Sequence, residues 1–154
     1  MEYLTKSELR RLFEVAYEQD HHRHLFLVTV FWHGSRVSET LEVRGTDIRD
    51  GKIVIRRKKG SVKTEQDIHK DKDPLFDESP ILKLAGTQGR LFPWSRFQMH
   101  KFITKCGLMA GIPKDKLHMH ALKHSTAMVL WTATGGNLGL LQRHLGHKLS
   151  LIHI

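Results

Sequence analysis

The sequence predicts an α+β domain, mostly α-helical with a small antiparallel β-hairpin. Three observations lead there. A capped amphipathic stretch opens the chain. An alternating run folds back on itself around Lys59-Gly60. A long apolar stripe at helical spacing, from about His120 to Thr134, is stopped by Gly135-Gly136. The 154 residues suit one compact unit spanning 1–154.

Thr5-Lys6-Ser7-Glu8 has the form of a capping box, and Leu9, Leu12, Phe13 and Ala16 follow at helical spacing. A first helix from about Thr5 to Gln19 is expected. HHRH at 21–24 interrupts the apolar pattern and reads as a solvated loop. LFLVTVFWHG, ending at Gly34, is apolar almost throughout, so periodicity does not separate a buried helix from a strand. The helical reading is preferred because Ser35 to Glu39 begins another helical pattern that runs through Leu41 and Val43. Asp50-Gly51 marks a turn. The run KIVIRRKKGSVKTEQDIH that follows reads as two strands joined around Lys59-Gly60.

KDKDPLFDESP is a charged loop. Ile81, Leu82 and Leu84 suggest a short helix ending near Gly86. After the break at Phe92-Pro93, Ser95 is placed to cap a helix carrying Phe97, Phe102, Ile103, Leu108 and Met109, closed by Gly111-Ile112-Pro113. Leu122, Thr126, Val129, Leu130 and Ala133 form the stripe of the next helix. Asn137 is positioned to cap a last one, LGLLQRHLGH. There is no internal repeat and no low-complexity tract.

Twenty-five Lys and Arg against sixteen Asp and Glu leave a formal charge of +9, before counting twelve histidines. That balance favours a polyanionic partner such as DNA or RNA. No apolar run reaches the roughly 18 residues of a membrane span, and the acid-containing amphipathic N-terminus is unlike a secretory signal. Cys106 is the only cysteine, so an intramolecular disulfide is excluded and a reducing, cytoplasmic setting is expected.

Three islands carry chemistry. In HMHALKHS (118–125), the helical spacing puts His120, Lys123 and His124 on one face, a combination suited to an anion. Zinc is the rival, since His120 and His124 have the spacing of a zinc-binding helix. Ala121 stands where such a helix carries its glutamate, however, and Lys123 would repel a dication. In HGSRVSE, Arg36 follows a tight Gly-Ser pair at a helix mouth. Both the guanidinium and the helix-start backbone favour phosphate oxygens, although a surface ion pair with Glu39 is the simpler role. In RRKKGSVK, Arg56, Arg57, Lys58, Lys59 and Lys63 crowd a hairpin tip, either as a solvated turn or as a contact to a DNA backbone.

Their order along the chain is more specific than any one of them. Gly34-Ser35-Arg36-Val37-Ser38-Glu39, then Lys59-Gly60, then His120-Ala121-Leu122-Lys123-His124, then Leu145-Gly146-His147 resemble the tyrosine recombinase, or phage integrase, family. Leu91-Phe92-Pro93 and Ala110-Gly111-Ile112 extend the likeness through nearly the whole chain. FWHGSRVSE, RRKKG and HALKHS look most like the short, fimbrial-switch type, which lacks a separate N-terminal core-binding domain. The resemblance implies the tyrosine recombinase catalytic-domain fold and metal-free, cofactor-free cutting and rejoining of double-stranded DNA through a 3′-phosphotyrosyl link. It also implies assembly of protomers on DNA in a bacterial cytoplasm, on the nucleoid or a mobile element.

Carried over by position, Arg36 would be the first phosphate clamp, and Lys59 the turn lysine that protonates the leaving oxygen. His120 would bond the phosphate or accept a proton. Lys123 would be the second clamp and His147 a further phosphate contact. Glu39 and His124 would be supports, and Arg56, Arg57, Lys58 and Lys63 would touch the DNA backbone. Two features depart from the family. Lys123 stands where arginine is usual, keeping the charge and losing the bidentate fork. The family's tyrosine nucleophile would fall just past Ile154, and neither Tyr3 nor Tyr17 lies in a matching motif. The expectation is therefore a catalytic domain without its nucleophile segment, inactive in this form. A non-catalytic DNA-binding regulator on the same fold is the alternative, and a histidine-rich zinc enzyme a third.

Overall fold

The computed structural model describes residues 4–57, 63–118, 121, 122, 124 and 125. Its first helix, α1, spans Lys6–Gln19. Thr5 Oγ1 accepts the Glu8 N–H at 3.1 Å, and Glu8 Oε1 accepts the Thr5 N–H at 2.9 Å, so both ends of the predicted capping box close. Leu9, Leu12, Phe13 and Ala16 form its buried face.

The second helix, α2, spans His21–His33 and begins earlier than expected. HHRH is its first turn and not a loop. Asp20 is the reason: its Oδ1 accepts the N–H groups of His22 and Arg23 at 2.9 and 3.1 Å, satisfying donors a helix start leaves orphaned. Its own N–H donates to Ala16 O, so one residue ends α1 and starts α2. Residues from His24 to Val30 are buried on every side of α2, which explains why the run showed no amphipathic period.

His24 sits among these apolar side chains, with Nε2 bonded to Leu75 O at 2.8 Å. Burial pushes its imidazole from the ordinary 6.5 down to about 4, against the opposing effect of that hydrogen bond. The ring is neutral in the folded protein, whereas the unfolded chain takes up a proton near pH 6.5. Stability should be intact above that pH and fall as pH drops from 6.5 toward 4, by up to about 3 kcal/mol. Urea midpoints measured across this window should show the decline, and His24→Asn should flatten it. A wild-type midpoint that is level from neutral pH to pH 4 would contradict the assignment.

Gly34 ends α2 in the left-handed region, at φ 57°, and the five-residue α3, Val37–Leu41, follows at once. A three-stranded antiparallel sheet comes next, ordered β1 (Ile48–Arg49), β2 (Lys52–Arg56), β3 (Lys63–Asp67). The predicted hairpin corresponds to β2 and β3; β1 is an additional strand. Asp50 and Gly51 both have positive φ, 54° and 72°, the requirement of a two-residue primed turn between β1 and β2. Register runs from Lys52↔Asp67 to Arg56↔Lys63.

The segment after β3 holds two 3-10 helices, Pro74–Phe76 and Ser79–Leu84, the second standing where the short helix around Ile81, Leu82 and Leu84 was expected. Leu91 N–H then bonds Val43 O, and Gly86 N–H bonds Gly45 O, zipping residues 86–91 against 43–45. The helix α4 spans Arg96–Met109 from a capping box of Ser95 and Gln98. Met99, Phe102, Ile103 and Cys106 point to the core, while Phe97, Leu108 and Met109 lie outside it, Phe97 being 68% exposed. The apolar stripe expected on this helix is thus narrower than the sequence implied. One continuous core joins α1, α2, the inner residues of β2 and the buried face of α4 around Phe13, Phe26, Phe92 and Ile103.

Candidate active site around Arg36

The abrupt end of α2 places Arg36. Gly34 turns the chain, Ser35 and Thr40 share a 2.6 Å hydroxyl hydrogen bond, and Arg36 becomes the residue that caps α3. Its N–H donates to Glu39 Oε1 at 2.8 Å and its Nη1 to Glu39 Oε2 at 3.2 Å. The Arg36 side chain is 31% exposed and that of Glu39 only 1%. The carboxylate is therefore a buried brace and the guanidinium a half-exposed head. The ion pair expected from the sequence is present. The backbone donor expected to favour an anion is taken by Glu39.

β2 and β3 flank this turn. Arg56 and Lys63 face each other at the sheet end, both exposed, with Arg56 Nη1 bonded to Asp47 Oδ1 at 2.9 Å. Arg57 departs from the reading of a surface cation, because successive residues of an extended chain face opposite ways. Its side chain is fully buried. Nε donates to Thr64 Oγ1 at 2.9 Å and Nη2 to the His33 carbonyl at 2.9 Å, while Nη1 lies 3.8 Å from Glu39 Oε1. Burial pulls this guanidinium down to about 10, Glu39 opposes that shift and Arg36 adds to it; the group remains charged at neutral pH.

A second buried cluster lies under the same turn. His33 Nε2–H donates to both Glu78 oxygens, at 2.9 and 2.7 Å, and Nδ1 is hydrogen-bonded to the Gln66 side chain. Glu78 Oε1 also accepts the His69 N–H at 2.8 Å. Nothing in the sequence marked His33, Gln66 or Glu78 as partners; they come together only when β3 and the 3-10 turn at 79–84 pack on α2. The buried side of Arg57 was legible, by contrast, from strand alternation.

The helical residues Ala121, Leu122, His124 and Ser125 lie near the N-terminus: Ser125 Oγ accepts the Leu4 N–H at 3.0 Å. His118 opens the histidine-rich stretch as a helix cap: its Nδ1 accepts the Ala121 N–H at 3.1 Å. His124 is half-buried. Lys58, Lys59, His120, Lys123 and His147 lie outside the described residues. Among those described, no three His, Cys, Asp or Glu side chains gather as a metal-binding group, and no helix is long and apolar enough to cross a membrane.

A model of the phage integrase family matches residues 2–151. The chain belongs to the phage integrase family. Among solved structures, it is similar to XerA recombinase, with a TM-score of 0.74 and 22% identity over 98% of this chain and 56% of that one. It is similar to XerH site-specific recombinase, crystallised with its difH substrate before cleavage, with a TM-score of 0.73 and 21% identity over 96% of this chain and 47% of that one. It is also similar to the lambda integrase catalytic core, with a TM-score of 0.75 and 20% identity over 96% of both chains. The integrase-family chain thus spans about half the length of the two Xer recombinases and nearly all of the isolated lambda core. A comparison with curated proteins finds no match. These likenesses bear out the mostly helical catalytic-domain fold with its small antiparallel sheet.

Proposed function

We propose that the chain is the catalytic domain of a site-specific tyrosine recombinase, acting on double-stranded DNA as an assembly of protomers, without metal or cofactor, in a bacterial cytoplasm. The observation that carries this is the half-exposed Arg36 guanidinium, held on the buried Glu39 carboxylate, in a chain of the phage integrase family. Strand transfer builds charge on the nonbridging phosphate oxygens, so fixed cations there lower the barrier.

Arg36 and Lys123 clamp those oxygens, and His147 contacts the phosphate. His120 bonds it or accepts the nucleophile's proton, and Lys59 protonates the leaving 5′ oxygen. Glu39 and His124 orient these groups, and Arg56, Lys58 and Lys63 follow the backbone of the duplex. FWHGSRVSE, RRKKG and HALKHS support nearness to the short, fimbrial-switch type.

Neither tyrosine of the 154 residues takes the nucleophile's part in this reading. Tyr17 stacks on the His21 ring at 4.1 Å and packs edge-on against His24, and Tyr3 belongs to no family motif. A second reading is a DNA-binding regulator that uses the fold without cleavage. In either case the polypeptide binds duplex DNA. Raising salt from about 50 to about 200 mM should weaken a contact to half a dozen phosphates by roughly a thousandfold. Anisotropy of a labelled duplex reads this directly, and affinity indifferent to salt would defeat both readings. A covalent adduct on a nicked suicide substrate, formed once the family's tyrosine segment is appended, separates enzyme from regulator.

A further inference from the structure

Burying a guanidinium is costly unless its N–H groups and charge are used. Arg57 is buried to the tip. Two of its nitrogens are hydrogen-bonded, to Thr64 and to the last carbonyl of α2. The third, Nη1, is buried with no hydrogen-bond partner among the described residues and lies 3.8 Å from Glu39 Oε1. That separation exceeds hydrogen-bond length, so what joins the two is charge.

Glu39 therefore faces two guanidiniums, Arg36 from the half-exposed side and Arg57 from the interior. With Arg36 alone it would form a neutral pair, and an arriving phosphodiester would compete with a carboxylate 3.2 Å from Nη1. With Arg57 in place, the three groups keep one net positive charge. We propose that Arg57 is a positioning residue: its buried charge neutralises Glu39, so that Glu39 orients Arg36 without cancelling the positive charge Arg36 offers to a phosphodiester. This rests on the DNA-binding reading above. Strand geometry supplies the means, since the residue after exposed Arg56 is turned inward onto Glu39.

The test is the affinity of a fluorescein-labelled duplex for wild type, R36Q, R57M, R57K, E39Q and R57M/E39Q, with folding checked by circular dichroism. R57M should bind roughly tenfold more weakly than wild type, about as R36Q does, and lower the salt slope by about one. R57K keeps the charge and should stay near wild type. R57M/E39Q should recover, because no carboxylate charge is left to neutralise. A purely structural role would show no such rescue. R57M/E39Q binding as weakly as R57M, or R57M binding like wild type, would overturn the proposal. If R57M alone fails to fold, R57K falling as far as R36Q overturns it, and R57K holding at wild type supports it. A wild type that does not bind, or an R36Q that binds equally well, removes the DNA-binding reading itself and is seen before the Arg57 series is compared.

Discussion

Replacing Glu78 by alanine should cost about 3–5 kcal/mol, enough to lower the melting temperature by roughly 10 °C. The side chain is fully buried and accepts from both the His33 ring and the His69 N–H. Truncation strands those two donors in an apolar interior and leaves a cavity beside them. Glu78→Gln, which keeps the shape and one acceptor, should cost markedly less. The effect should also reach the candidate site. The His33 carbonyl receives Arg57 Nη2, and His33 immediately precedes the turn that sets Arg36. Hydrogen exchange of the amides from 34 to 40 should therefore accelerate in Glu78→Ala beyond the global loss of stability. A variant whose melting temperature moves by only a degree or two would show that the cluster is not a structural brace.

Gly45→Ala should be comparably damaging, at about 3 kcal/mol, for a steric reason. A Cβ at this position would stand 2.2 Å from the Thr87 carbonyl oxygen and 2.4 Å from the Thr87 nitrogen. Backbone atoms do not rotate aside as a flexible side chain does. The two segments are also zipped by Gly45 N–H to Gly89 O, Gly86 N–H to Gly45 O and Leu91 N–H to Val43 O. Relief would require those hydrogen bonds to open. Gly107→Ala is an informative contrast, because the nearest atoms its Cβ would meet belong to the Leu117 side chain, the closest at 2.0 Å, and a side chain can change rotamer. Denaturant midpoints of the two variants should differ clearly, with Gly45→Ala the lower. Equal midpoints would mean that the 86–91 segment yields as easily as a leucine.

Local signals in the sequence served well where a residue acts on its near neighbours. Thr5 with Glu8, Ser95 with Gln98, and Gly34 ending a helix are decided within one turn of chain. They failed where a capping oxygen had to be weighed against polar side chains: HHRH looked solvated, yet the Asp20 carboxylate starts a helix there and His24 is buried. In the candidate site, Arg36 and its brace Glu39 are three apart and were readable. Arg57 was assigned to the surface because its charge was weighed and its alternation with Arg56 was not. The His33–Glu78 contact joins residues 45 apart, beyond the reach of any periodicity.

α1 is held from far along the chain. Leu4 bonds Ser125, Glu8 receives Lys116 Nζ and Arg11 Nε donates to Ala110 O, across 121, 108 and 99 residues respectively. Although the apolar face of α1 can meet α2 early, these three contacts cannot close until about a hundred further residues have been made. During synthesis α1 is thus only partly anchored until residue 125 emerges, and holdase chaperones should matter most before that point.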